Sequence, residues 1–137
     1  MKGYREIFVA IAAHHWEPMV QFYEYILEQS PKPYIPKSYA EFKADGLKLG
    51  LFLPKADHQS EFSQPSQSAI SLCLEVGNLI HSFSKIDAAY NDLRRIGYVE
   101  PKEHIRYGEI MTASHGQECY AYDPDGNRLI LHVGVPG

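Results

Sequence analysis

Gln117-Glu118-Cys119-Tyr120-Ala121-Tyr122 and Arg128-Leu129-Ile130-Leu131-His132-Val133 flank the segment Asp123-Pro124-Asp125-Gly126-Asn127. Proline presets its own φ, aspartate bonds back to nearby backbone, and glycine tolerates positive φ, so this segment reads as a tight turn. The two flanks are then strands of one hairpin. Side chains alternate along a strand, and cross-strand partners share a face. Pairing Asp123 with Asn127 sets Tyr122 opposite Arg128, Tyr120 opposite Ile130, and Glu118 opposite His132. The reverse face carries Cys119, Ala121, Leu129 and Leu131. One face is small and apolar, suited to packing against a helix; the other is aromatic and ionisable.

The same split recurs upstream. Ala69 to Val76 reads as a strand with Ile70, Leu72, Leu74 and Val76 on its apolar face. Ser71, Cys73 and Glu75 fall on the other face. Phe83, Ile86, Tyr90, Leu93 and Ile96 follow helical spacing, with Ser84 and Asp87 as a capping box and Gly97 as the stop. A further strand lies within residues 103 to 113. The first half repeats the plan. Residues 5 to 12 form a strand, and Trp16, Met19, Val20, Tyr23, Ile26 and Leu27 mark a helix with Pro18 in its first turn. Tyr39 to Leu53 turn at Asp45-Gly46 as a second hairpin. Leu47, Leu49, Leu51 and Leu53 share a face with Ala40, Phe42 and Ala44, and Tyr39, Glu41, Lys43, Lys48, Gly50 and Phe52 take the other. Three prolines make Ser30 to Pro36 a loop, and the polar residues 54 to 68 form a linker. Each half reads β-α-β-β-β, and this duplication is the informative feature of the chain.

Composition narrows the class. The chain has 137 residues, 45% of them hydrophobic and 22% charged, as expected of one globular domain. Thirteen Lys and Arg against seventeen Asp and Glu give a net charge of −4, which argues against a nucleic-acid partner. The apolar runs are too short to span a membrane. Lys2 and Arg5 precede the apolar run Ile7 to Ala13, but Glu6 interrupts it, and a buried first strand is the better reading than a signal peptide. A cytoplasmic location is the corresponding expectation. Cys73 and Cys119 form no C-x-x-C pair, so no zinc knuckle or disulfide framework is indicated.

Several of these residues resemble the vicinal oxygen chelate superfamily, which includes glyoxalase I, the bleomycin resistance proteins and the extradiol dioxygenases. Phe8-Val9-Ala10-Ile11 through Phe22-Tyr23-Glu24-Tyr25-Ile26-Leu27 is similar to its opening strand and FYxxxLG helix. Glu75-Val76, Leu93-Arg94-Arg95-Ile96-Gly97 and Asp123 to Arg128 resemble its EV…L…G…DPDGN signature. The resemblance runs from about residue 5 to 133 and implies an α+β fold. Two βαβββ modules would form an eight-stranded, U-shaped mixed sheet with helices on the convex face. It implies a single domain, 1–137, with module one at about 5–54, a linker at about 55–68 and module two at about 69–133.

Metalloenzymes of the superfamily place His or Glu at four positions that the resemblance brings together on the concave face. Those positions fall here on Phe8, near Gly50, on Ser71 and on Ile130. None carries the imidazole or carboxylate donors that those metalloenzymes use for a divalent ion. The resemblance therefore implies a protein that has lost the ancestral metal site, with no catalytic residue and no cofactor assigned. The expected function is binding of a small aromatic or anionic molecule. Candidate contacts are Phe8, Phe52, Ser71, Tyr120, Tyr122, Arg128, Ile130 and His132, with Trp16 as a further aromatic wall. Arg128 would anchor an anion while stacking on Tyr122, or would pair with Asp123 or Asp125 in the turn. The alternatives are a metal-dependent lyase, isomerase or dioxygenase with displaced ligands, Glu118 and His132 among them, and a protein-interaction module. His14, His15, His58, His81, His104 and His115 read as scattered loop or end residues. A homodimer is the expected assembly.

Overall fold

Tight turns and strand alternation account for most of the architecture. The structure is a computed structural model and describes residues 2–135. Two compact units divide between Phe62 and Ser63, and each holds one βαβββ module.

In the first unit, β1 (Val9–Ala12) leads into α1 (Trp16–Leu27), followed by β2 (Tyr34–Ile35), β3 (Tyr39–Ala44) and β4 (Leu47–Phe52). The strands order β1-β4-β3-β2, with β1 parallel to β4 and the others antiparallel. Gly46 adopts φ 76° at the Asp45-Gly46 turn, a conformation that costs glycine little. Ala40, Phe42, Leu49 and Leu51 are buried on the face that packs under α1, together with Met19, Phe22 and Tyr23 of the helix.

The second unit repeats this order. It runs β5 (Leu72–Glu75), α2 (Leu79–Arg95), β6 (Met111–Ala113), β7 (Gly116–Tyr122) and β8 (Arg128–Gly134), with strand order β5-β8-β7-β6. Cys119, Ala121, Leu129 and Leu131 are buried beneath α2 with Ile86, Ala89, Tyr90 and Leu93. The α+β class and the two modules stand as read from sequence. Each module carries its own open, four-stranded mixed sheet.

Several expected boundaries differ. Helix α2 begins at Leu79, where the Asn78 side chain accepts from the His81 amide at 2.9 Å. Ser84 therefore lies inside the helix and bonds back to the Ile80 carbonyl, so the Ser84/Asp87 capping box does not form. Strand β1 begins four residues later than its reading and β5 three, and Ile7 and Ile70 are largely exposed. The linker carries 3-10 turns at Ala56–Phe62 and Pro65–Gln67, and the proline loop contains β2. His81 sits at the N-terminal end of α2, in its first turn.

Behind β7 and β8, Tyr90 is fully buried and donates its hydroxyl proton to the Tyr122 carbonyl at 2.6 Å. His104 Nε2 meets the same hydroxyl at 2.9 Å. Burial pushes the His104 imidazole below its ordinary 6.5, with Glu100 opposing and Arg106 adding to the shift. A histidine held neutral on folding supplies stability above its unfolded pKa and loses it as pH falls. The melting temperature is accordingly expected to drop as the pH falls below about 6.5. The drop should be smaller in His104→Gln, and identical acid sensitivity in scanning calorimetry would remove His104 as a source.

Candidate functional site

The hairpin register is as the turn dictates. Tyr122 pairs with Arg128, Tyr120 with Ile130 and Glu118 with His132. Parallel pairing with β5 adds Cys73 beside Ile130 and Glu75 beside His132. One face of the second sheet therefore carries Glu118, Tyr120, Tyr122, Arg128, Ile130, His132, Cys73 and Glu75.

At the turn end of this face, Arg128 Nε donates to Ser71 Oγ at 2.7 Å and Nη2 donates to the Ser68 carbonyl at 2.8 Å. Its guanidinium carbon lies 5.8 Å from the Tyr120 ring centroid. The arginine thus stacks toward Tyr120, one pair further along the strand than Tyr122. The Asp123 carboxylate accepts within the turn, from the Asp125 and Asn127 amides. Ser71 lies just before β5 and accepts from Arg128 of the neighbouring strand.

At the opposite end, His132 Nδ1 and a Glu75 carboxylate oxygen form a short ion pair. The second Glu75 oxygen accepts the Gly134 amide at 2.8 Å. The hydrogen bond from His132, and then that from Gly134, holds the Glu75 carboxyl below its usual range; the same contact with Glu75 raises the His132 pKa. His132 Nε2 lies 3.0 Å from the His115 carbonyl oxygen, and the two rings stack at 4.7 Å. His115 Nε2 is 3.4 Å from Glu118 Oε2. His115, which sequence reading left among scattered residues, belongs to this cluster. Cys73 is exposed and Cys119 buried, and burial raises both thiols, so neither has the depressed pKa of a nucleophile.

In the first unit, Glu41 pairs with Gly50 and Tyr39 with Phe52 on the corresponding face. Tyr39 lies across Gly50, where a Cβ would stand 2.8 Å from its hydroxyl oxygen, and it donates to Glu41 at 2.9 Å. Burial first, and then Glu41, push this phenol up to about 12. The tyrosine fills the space that a side-chain donor at position 50 would need. Phe8 is half-exposed under Lys48 Nζ, 5.2 Å from its ring centroid, and Lys48 pairs with Glu6. Phe52 packs edge-on against Phe62 at 5.3 Å, and Trp16 is buried against Tyr34. A cavity of about 320 Å³ lies along α1, lined by Glu17, Val20, Gln21, Glu24, Pro31 and Tyr34, none of them a sequence-selected contact except through the neighbouring Trp16.

Neither a family model nor a curated protein matches this sequence. Solved structures do. A glyoxalase-related enzyme from Fulvimarina pelagi is 16% identical, with 96% of this chain and 89% of that chain covered at a TM-score of 0.61. The fosfomycin resistance protein FosX from Listeria monocytogenes is 12% identical, covering 96% and 94% at 0.59. The bleomycin-binding protein of Streptomyces verticillus, solved with copper(II)-bleomycin, is 16% identical, covering 98% and 100% at 0.52. The fold shared with these proteins is that of the glyoxalase and bleomycin-resistance group. It is the vicinal oxygen chelate fold to which the DPDGN hairpin and the duplicated modules point. Among the described residues no helix is long and apolar enough to cross a membrane.

Proposed function

We propose that this protein binds a small, flat, anionic molecule, with Arg128 as the polar anchor and Tyr120 as the stacking surface. The observation that carries this reading is the preset guanidinium. Ser71 and Ser68 hold Arg128 in one orientation beside Tyr120, so little side-chain entropy is left to lose on binding. A fixed guanidinium suits a planar carboxylate or phosphate, and a half-exposed tyrosine supplies apolar area at low entropic cost. Tyr122, Ile130 and His132 extend the same face. Phe8 and Phe52 are the corresponding candidates in the first unit.

The four superfamily metal positions carry Phe8, Gly50, Ser71 and Ile130, so the proposed binding does not run through a metal held there. The bleomycin-binding and fosfomycin-resistance neighbours support a small-molecule role in preference to a macromolecular one. We further propose a cytoplasmic homodimer that lacks glyoxalase activity.

A thermal-shift screen of aromatic carboxylates and their neutral amide isosteres tests the reading, followed by calorimetry on the best ligand. The acids are expected to bind better than the amides. Arg128→Ala should weaken them by roughly 1.5–3 kcal/mol, the scale of a hydrogen bond to a charged group. Equal binding of acid and amide, or an unchanged affinity in Arg128→Ala, would exclude Arg128 as the anchor.

A further inference from the structure

We infer that His115, Glu118 and His132 form a binding site for one divalent transition-metal ion, built from residues other than those at the four superfamily metal positions. One ligand atom from each of the three residues lies within 4.8 Å of the other two. The 3.4 Å between His115 Nε2 and Glu118 Oε2 is already the separation of two ligands on one tetrahedral ion, which is about 3.3–3.4 Å for bonds of about 2.0–2.1 Å. The His132 donor lies within 4.8 Å of both. The donors come from β7 and β8 and from the residue preceding Gly116, so the sheet register itself holds them together.

Hydrogen-bond bookkeeping at His132 adds a second argument. Its Nδ1 faces a carboxylate and its Nε2 faces a carbonyl oxygen, and both partners are acceptors. A carboxylate only accepts, so Nδ1 carries the proton that faces Glu75, and Nε2 is the nitrogen at which a cation would stand in place of a second proton. That is the arrangement in which a carboxylate fixes the tautomer of a metal-bound histidine. Glu75 is in turn fixed by the Gly134 amide, which makes it a positioning residue for the site.

Two imidazoles and one carboxylate favour zinc, cobalt, nickel or copper over magnesium or calcium. Three protein ligands leave at least one position for water or an external donor. His115 is exposed, whereas Glu118 and His132 are largely covered, so the open side faces solvent. This inference goes beyond the proposed ligand binding and does not depend on it. Ile130 and Tyr120 separate the cluster from Arg128 along β8 and β7.

The test is calorimetric titration of untagged, chelator-treated protein with zinc chloride near neutral pH. One zinc per chain is expected, with calcium and magnesium giving no comparable heat. His115→Ala, an exposed substitution that leaves the fold in place, should weaken zinc at least tenfold, as should Glu118→Gln. Glu75→Gln should weaken it less, and Ser71→Ala should leave it unchanged. Cobalt should bind with the intense visible absorption of tetrahedral coordination and lose that band in His115→Ala. No zinc binding, or binding indifferent to His115→Ala and Glu118→Gln, overturns the assignment.

Discussion

Asp123→Ala is expected to destabilise the protein by about 3–5 kcal/mol, a loss on the scale of several unmade bonds to a buried charge. Asp123 is fully buried at the turn between β7 and β8. Its Oδ1 accepts the Asp125 amide at 3.0 Å and the Asn127 amide at 2.9 Å, and its Oδ2 accepts Asn127 Nδ2 at 2.8 Å. Its own amide and carbonyl close the turn with Asn127 and Gly126. Alanine would leave two backbone donors and one amide donor without this acceptor, in a turn whose Pro124 is also buried. The Tyr98 hydroxyl, which donates to the Pro124 carbonyl at 3.0 Å, ties the turn to the segment after α2. A domain has about 5–15 kcal/mol in hand, so this one change removes a large share of it. Urea titration should show a lower midpoint at an unchanged slope, and Asp123→Asn, which keeps one acceptor oxygen, should lose less. A loss under about 1 kcal/mol for alanine would mean that water replaces the carboxylate at little cost.

That turn was also the most legible part of the sequence, because its chemistry is local. Asp, Pro, Gly and Asn fix the backbone within five residues, and strand alternation then assigns each flanking side chain to a face. The burial of Cys119, Ala121, Leu129 and Leu131 follows directly. The start of α2 was harder to read. Ile80 is exposed although apolar, which blurs the helical stripe, and the Asn78 cap lies five residues ahead of Phe83, where the stripe is first read. Strand β2 was illegible because two residues between prolines carry no period. Arg128 was correctly paired across from Tyr122, yet its long side chain reaches Tyr120, Ser71 and Ser68, and pairing rules do not resolve that choice. His115 escaped notice for a different reason. It lies just outside β7, and its approach to His132 depends on Gly116 pairing with Gly134, a long-range register.

Gly116 therefore carries the second large expected effect. Its φ of 140° lies where side chains are strained, and it stands opposite Gly134 at the end of the hairpin. A Cβ here would stand well inside contact distance of the Val133 carbonyl oxygen, and 3.0 Å and 3.1 Å from the Val133 carbonyl carbon and Gly134 Cα. These are backbone atoms, so no rotamer change relieves the overlap. Strain and overlap together are expected to make Gly116→Ala cost about 2–4 kcal/mol. The relief available to the chain is to part β7 from β8 at this end, which moves His115 and Glu118 away from His132. Zinc affinity should consequently fall at least tenfold under conditions where the variant remains folded. Gly46→Ala is the control: it is strained by a φ of 76° but meets nothing nearby, and it lies in the other unit. It should lower stability while leaving zinc binding intact. Equal zinc affinity in folded Gly116→Ala would show that the cluster does not depend on the close approach of the two strands, contrary to the geometry that assembles it.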